Sequence, residues 1–207
     1  MAKMHKKHFW QYLNFIAIIL PYIIMIVVFM MYKHKMDAVS KACIVVISKE
    51  DMQLSVYSYD GSKKFEAPIA VGSGFGNKLE IGDRKTPEGV FHVIDVEDAS
   101  TWGHDFKDGK GRIEGAYGPI FIRLSVPGQK GIGIHGTHDP NSIGTRATEG
   151  CIRLKNDDIV KLSDLVQSGT LVIIETSKKD VIKSTEENKS NNKNDTIKSK
   201  ENESKVS

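Results

Sequence analysis

The sequence predicts a mainly β domain built on one hydrophobic core, preceded by a transmembrane helix and containing one or two short helices. Three observations predict it. Residues 43–126 break into short β-branched and aromatic runs separated by polar turns, with no helical period between them, which is the pattern of a mostly antiparallel sheet. An unbroken apolar run extends from Phe15 to Met31. A helical period returns at Ile159, Leu162, Leu165 and Val166, after the N-terminal signal Lys155-Asn156-Asp157-Asp158. A chain of 207 residues has room for one ordinary domain with appendages.

The expected order along the chain is a cytoplasmic N-terminus (1–11), a transmembrane helix (12–32), a linker (33–42), a folded domain (43–176) and a disordered polar tail (177–207). Lys3, Lys6 and Lys7 precede the apolar run, and Trp10, Tyr12 and Tyr32 flank it where interfacial aromatics belong. With Tyr12, Leu13 and Tyr32 the run approaches the ~20 residues that cross a bilayer. A signal peptide shares the charged start, but Lys33-His34-Lys35-Met36-Asp37 makes a poor cleavage site. The expectation is therefore an uncleaved, single-pass anchor. The net charge of +3 arises at the two Lys-rich ends, and the middle is mildly acidic. That distribution argues against nucleic acid as a partner.

Strands are expected at Cys43–Ser48, Gln53–Tyr59, Lys63–Val71, Val90–Val96, Ile120–Val126, Gly131–Ile134 and Thr170–Glu175. Asp60-Gly61 marks a hairpin turn. The glycines of Gly72-Ser73-Gly74-Phe75-Gly76 read as turn formers, because no Gly-Lys-Ser/Thr or helix follows as a phosphate loop requires. The polar stretch Glu97–Ala116 is too long for a simple hairpin connection and reads as a lid or an insertion. Its Trp102 either covers a cleft or packs on the sheet. From Ser177 onward, Lys, Glu, Asn, Asp, Ser and Thr dominate, and such a composition offers little to bury.

The chemistry is concentrated in Gly131–Leu154. A thiol becomes a nucleophile when a base or cation stands near it, when it is partly exposed, and when donors await the oxyanion it creates. His135 ends a short apolar strand, and Gly136 comes next, where the backbone bends or is closely approached. Thr137–Thr148 is polar and turn-rich, so it loops out and returns Cys151 beside His135. Gly150 removes a side chain just before the sulfur. His92, His104 and His138 lack the spacing of a zinc motif, and Cys151 has no Cys-x-x-Cys partner. No metal and no cofactor are expected.

His135-Gly136 followed by Thr148-Glu149-Gly150-Cys151-Ile152-Arg153 resembles the signature of the L,D-transpeptidase catalytic domain, a family of cysteine enzymes acting on bacterial peptidoglycan. Upstream, Thr86-Pro87-Glu88-Gly89-Val90-Phe91 resembles the family's Thr-Pro-x-Gly-x-Phe segment. The resemblance covers roughly Ile44–Thr176 and implies an L,D-transpeptidase-like β-sandwich. It further implies Cys151 as nucleophile, His135 as base or as the imidazolium of a thiolate pair, and the Gly136 carbonyl orienting His135. Backbone N–H groups of Gly150 and Cys151 are expected to hold the oxyanion. Arg153, Tyr117 and Thr148 are the expected substrate-binding residues, with Arg153 either pairing with a substrate carboxylate or bracing the loop. One departure is Glu149, where many members carry His; a carboxylate facing the sulfur raises a thiol's pKa.

The implied reaction is acyl transfer from a peptidoglycan tetrapeptide stem. A terminal D-amino acid leaves, a thioester forms on Cys151, and an amine captures it. The same Cys-His pair with water as acceptor makes a carboxypeptidase or amidase, and a noncatalytic wall-binding module is the remaining alternative. Peptidoglycan lies outside the cytoplasmic membrane, so the domain of a monomeric, membrane-anchored chain is expected there.

Overall fold

The computed structural model describes residues 16–33, 43–107, 109, 111–186 and 189. They fall in two compact units, Met1–Ala42 and Cys43–Ser207. In the first unit, helix α1 (Ile16–Lys33) has 18 residues and is long and apolar enough to cross a membrane. An anchor and a signal sequence share that property. At 1.5 Å per residue it spans about 27 Å, close to the thickness of a bilayer's hydrocarbon core. The expectations for residues 1–11 and for the linker residues 34–42 lie outside the described residues.

The second unit is a curled eight-stranded sheet. Its strands are β1 (Cys43–Ser48), β2 (Gln53–Ser58), β3 (Lys63–Pro68), β5 (Gly89–Asp98), β8 (Ile120–Leu124), β9 (Gly133–His135), β11 (Ile152–Arg153) and β12 (Leu171–Ile174), in the order β11-β9-β8-β5-β12-β1-β2-β3. Two small pairs complete it: β4 (Val71–Gly72) with β10 (Arg146–Thr148), and β6 (His104–Asp105) with β7 (Arg112–Ile113). Strand β5 creates the curl. Its first half, Gly89–His92, pairs with β12, while residues from Val93 onward pair with β8 across a register shift between Val93 and Asp95. Such an irregularity bends a strand and re-aims the residues beyond it. Most pairs are antiparallel, as the sequence predicts, but β1–β12, β9–β11 and β4–β10 are parallel.

The alternation legible in the sequence places the core. Cys43, Val45 and Ile47 of β1 point inward, as do Leu54 and Val56 of β2 and Val172 and Ile174 of β12. Helix α2 (Asn156–Leu165) presses Ile159 and Leu162 into this core and lies against β8 and β9. Its N-terminus lacks a side-chain cap; Asp157 and Asp158 in the first turn complement the helix dipole instead. Asn156, part of the expected cap, uses its Oδ1 to accept from the Thr137 N–H at 2.7 Å. Thr86 is buried, and its hydroxyl accepts from the Gly72 N–H at 2.7 Å, so the Thr-Pro segment stitches β4 to the entry of β5.

One expectation gains detail and another needs correction. The stretch Glu97–Ala116 contains the β6–β7 hairpin, and its base is tied by the Ala99 N–H to the Pro119 carbonyl at 2.9 Å. Trp102 in it packs against Phe121 and Tyr117, with ring centroids 5.5 and 6.2 Å apart. The tail expected to be disordered from Ser177 begins instead with a helix, α3 (178–186), whose Asp180 is fully buried along with Ser177. Composition missed it because the segment is held by ion pairs, not by apolar burial. The remainder of the tail is outside the described residues, except for Lys189.

Candidate active site

The parallel pairing of β9 with β11 makes the site. A parallel pair needs a crossover, and residues 136–151 provide it through a 3-10 turn (Pro140–Ser142) and β10. In the resulting register Arg153 lies opposite His135, and Ile152 opposite Ile134. Residues opposite each other share a face, and residues two apart on a strand do too. Ile134 and Ile152 therefore both point into the core, at 1% and 0% exposure. His135, Arg153 and Cys151 point the other way and line one cavity of about 350 Å³. On the far side of β11, Arg153 exchanges two backbone hydrogen bonds with Ala70, each 2.8 Å, which fixes the strand carrying the thiol.

His135 is buried, and its orientation is set from three sides. Its Nδ1 lies 2.7 Å from the Gly136 carbonyl oxygen, so this nitrogen carries the hydrogen and donates it. The neutral ring then presents a bare Nε2. Phe121 stacks on the ring at 5.7 Å with an interplanar angle of 4°, and Tyr117 meets it edge-on at 4.9 Å. Gly136 is required by close approach: a Cβ there would stand 2.5 Å from Asn156 Oδ1 and 3.0 Å from Pro119.

Cys151 is half-buried, and its Sγ lies 3.3 Å from the Gly131 carbonyl. Thr148 shapes the turn before it. The Thr148 hydroxyl donates to the Cys151 carbonyl at 2.6 Å and accepts from the Gly150 N–H at 3.2 Å. The expected oxyanion role of the Gly150 N–H is corrected by this contact, because that hydrogen is turned to Thr148. Gly150 itself has φ +131°, and a Cβ would meet the Lys85 carbonyl oxygen at 2.8 Å. Only glycine fits a position that is both left-handed and crowded by backbone.

Burial dominates the electrostatics. It holds His135 down at about 3, helped by the positive charge of Arg153 and opposed by the Gly136 hydrogen bond. It pushes the Cys151 thiol up to about 11, against the pull of the Gly133 N–H, Lys78 and Arg153 and with the push of Glu149. The free protein therefore holds a neutral thiol and a neutral imidazole, not a thiolate and imidazolium.

The remaining expected residues divide. Tyr117 lines the cavity and its hydroxyl meets His104 Nδ1 at 3.1 Å. Thr148 lines it too, with its hydroxyl occupied as above. Arg153 is buried at 4% exposure; one terminal nitrogen donates to Ser142 Oγ at 2.8 Å, and its Nε has no partner among the described residues. Of the two sequence readings of Arg153, the Ser142 bond is the counterpart of the brace.

Sequence reasoning missed His104 and the cationic rim of Lys78, Arg84 and Lys130, all lining the cavity. His104 Nε2 reaches Glu149 at 3.0 Å, so Tyr117, His104 and Glu149 form a hydrogen-bonded strap from the β6–β7 hairpin to the residue before Gly150. Glu149 also lies 4.0 Å from Arg84. The departure from the family's usual His has a local partner here. No spacing rule links residues 104 and 149; only the fold joins them.

Comparisons with known proteins identify the family of the domain that holds this cavity. A family model, the YkuD L,D-transpeptidase catalytic domain, matches residues 43–174. The Bacillus subtilis protein named "Putative L,D-transpeptidase YkuD" is 33% identical over 107 residues, covering 52% of this chain and 51% of its own length. The Escherichia coli protein named "Probable L,D-transpeptidase ErfK/SrfK" is 30% identical over 149 residues, covering 67% of this chain and 45% of its own. Among solved structures, the helical cell shape determining protein Pgp2 from Campylobacter jejuni is 31% identical, with a TM-score of 0.50 over 66% of this chain and 49% of that one. The chain thus spans about half the length of each of these three proteins.

Proposed function

Because the chain belongs to the L,D-transpeptidase catalytic domain family, we propose that it is a cysteine acyltransferase that remodels peptidoglycan through Cys151. The observation that carries this reading is the shared cavity face of His135 and Cys151, with Nδ1 of the histidine committed to the Gly136 carbonyl at 2.7 Å. That bond leaves Nε2 as the base. Cys151 Sγ attacks the carbonyl carbon of a stem peptide as its proton passes to Nε2. The carbonyl oxygen becomes an oxyanion, and the Cys151 backbone N–H is the donor we assign to it. Collapse breaks the C–N bond, His135 returns the proton to the departing D-amino acid, and a thioester remains on Cys151. An acceptor amine then attacks the thioester, passes its proton through His135 to the sulfur, and restores the thiol. The net result exchanges one amide for another.

The neutral resting pair fits this order of events. Charge separation inside a buried site is costly until the substrate carbonyl is present to take up the electrons. Arg84 and Lys130, which line the cavity, supply cationic donors for a stem's carboxylates. Helix α1 serves as the anchor in this proposal, with the domain on the wall side of the cytoplasmic membrane.

Intact mass after exposure to a carbapenem tests the nucleophile. The parent chain gains one acyl adduct, and the folded Cys151→Ala chain gains none. An adduct on the Ala chain, or none on the parent, refutes the assignment. Incubation with stem tetrapeptides identifies the acceptor: dimers mark a transferase, and tripeptides alone mark a hydrolase. A phosphatase reporter active only outside the cytoplasm, fused to the C-terminus, tests sidedness, and a silent fusion made at normal levels overturns it.

A further inference from the structure

Helix α3 lies beyond the family-matched residues 43–174, yet it supplies a fully buried carboxylate that pairs with Arg146 at the start of β10. We infer that Asp180 is a positioning residue for the Cys151 turn, acting through Arg146. This inference rests on the reading of Cys151 as the nucleophile.

Both oxygens of Asp180 are committed. Oδ2 lies 2.8 Å from Lys49 Nζ and accepts from the Gly76 N–H at 3.2 Å, while Oδ1 pairs with Arg146 Nη2. Lys49 is itself buried at 1% exposure, pairs with Glu88 at 2.5 Å, and donates to the Gly76 carbonyl at 3.1 Å. Two cations thus face two carboxylates in a protected cluster, and the charges balance. The helix is fixed at its start. Ser177 Oγ accepts from the Asp180 N–H at 3.2 Å, and Glu50 accepts from the Ser177 hydroxyl at 3.0 Å and the Lys178 N–H at 2.8 Å. A serine three residues before an acid is a capping arrangement, but here the acid reaches away from its own helix into the domain.

Arg146 transmits the constraint. Its Nη1 donates to the carbonyls of Gly72 and Gly74 at 3.1 Å each, and its guanidinium covers the Phe75 ring at 4.5 Å. Lys183 of α3 lies over the same ring at 4.4 Å. Arg146 opens β10, whose last residue is Thr148, and the Ser73 N–H donates to the Thr148 carbonyl at 2.9 Å. The Thr148 hydroxyl holds both Gly150 and Cys151. Asp180 therefore sets Arg146, Arg146 sets the register of β4 against β10, and β10 delivers the thiol. Without Asp180 the cluster keeps an unbalanced buried cation, and the glycine-rich loop 72–76 loses its outer clamp.

The test uses the full chain. Asp180→Asn keeps shape and removes charge. We expect the carbapenem acylation rate to fall about tenfold or more, as small displacements of reacting groups do, with the melting midpoint still above the assay temperature. Arg146→Met should lose a similar factor, and the pair together no more than Arg146→Met alone, because one acts through the other. Acylation of folded Asp180→Asn within twofold of the parent, or losses that multiply in the pair, overturns the inference. Lys49→Met combined with Asp180→Asn removes opposite charges together and covers the case in which the single variant unfolds; it should show the same loss. Unfolding of both variants also overturns the inference, since Asp180 would then be a requirement of the fold and not of position. Alkylation of Cys151 by iodoacetamide, followed in parallel, separates the two readings. A parent that resists carbapenem but whose alkylation still depends on Asp180 refutes the enzyme and keeps the coupling.

Discussion

Burial of His135 makes a quantitative prediction for acid stability. In the unfolded chain this imidazole has an ordinary value near 6.5, while in the folded chain it is held at about 3. The folded state therefore resists a proton that the unfolded state takes up. Between these two values stability falls as the pH falls, by about 1.4 kcal/mol per unit. The contribution is fully present above pH 6.5, is lost progressively below it, and amounts to about 5 kcal/mol by pH 3. That is a large share of the 5–15 kcal/mol that typically separates folded from unfolded domains. Carboxylates titrate in part of the same window, so the assay is differential. Urea unfolding of the parent and of His135→Gln is followed at pH 7.0, 5.5 and 4.5. The glutamine keeps a donor for the Gly136 carbonyl and cannot take a proton. Its stability should decline less steeply, with the gap between the two proteins changing by about 2.5 kcal/mol between pH 7.0 and 4.5. Parallel curves would falsify the buried neutral imidazole. The same displacement predicts that carbapenem acylation keeps an active base well below pH 6.5, so its acid limb should lie under about pH 5.

Other substitutions test the geometry around the thiol. Gly150→Ala places a Cβ 2.8 Å from the Lys85 carbonyl at φ +131°; it should cost about 1–3 kcal/mol in urea unfolding and slow acylation sharply. Glu149→Gln removes a charge that raises the Cys151 thiol, so the pH midpoint of iodoacetamide alkylation should move down, and a midpoint that stays put or rises rejects the direct field. Thr148→Val deletes the hydroxyl shared by Gly150 and Cys151; it should destabilise the fold by about 1–3 kcal/mol and lower acylation, and an unchanged rate would separate that hydroxyl from the placement of the sulfur.

How much of this was legible in the sequence depends on the range of the interaction. Strands with clean alternation, such as Cys43–Ser48, were legible because one face is buried and the period is two. The His-Gly and Thr-x-Gly-Cys-x-Arg pattern pointed to the thiol and imidazole only through its resemblance to the L,D-transpeptidase signature, and the fold brings both side chains to one cavity. The parallel pairing that brings them to one face was not legible, since β11 has two residues and β10 three, too short for any period. The His104–Glu149 contact joins residues 45 positions apart, one on the two-residue strand β6 and one in the turn before Cys151. Helix α3 was hidden for a different reason. Its anchor is one acid whose partners, Lys49 and Arg146, lie far back in the chain, and composition counts such an acid as solvated.

The same physics explains why both reactive groups are kept neutral. A low thiol pKa gives a standing nucleophile, but also one that any soft electrophile or oxidant can consume. Here the sulfur is held as a thiol near 11 and the imidazole near 3, so neither is charged at neutral pH. Reactivity must then come from a third party: a carbonyl seated where the Cys151 N–H can meet its oxygen, which makes proton transfer and attack one event. Lys78, Arg84 and Lys130 and the hydrogen-bonded Tyr117–His104–Glu149 strap line the cavity in which that carbonyl would sit. The site is thus organised around position more than around standing charge. A poorly fitting electrophile should therefore alkylate Cys151 slowly even when exposed to it for long periods, while a well-seated acyl donor reacts fast.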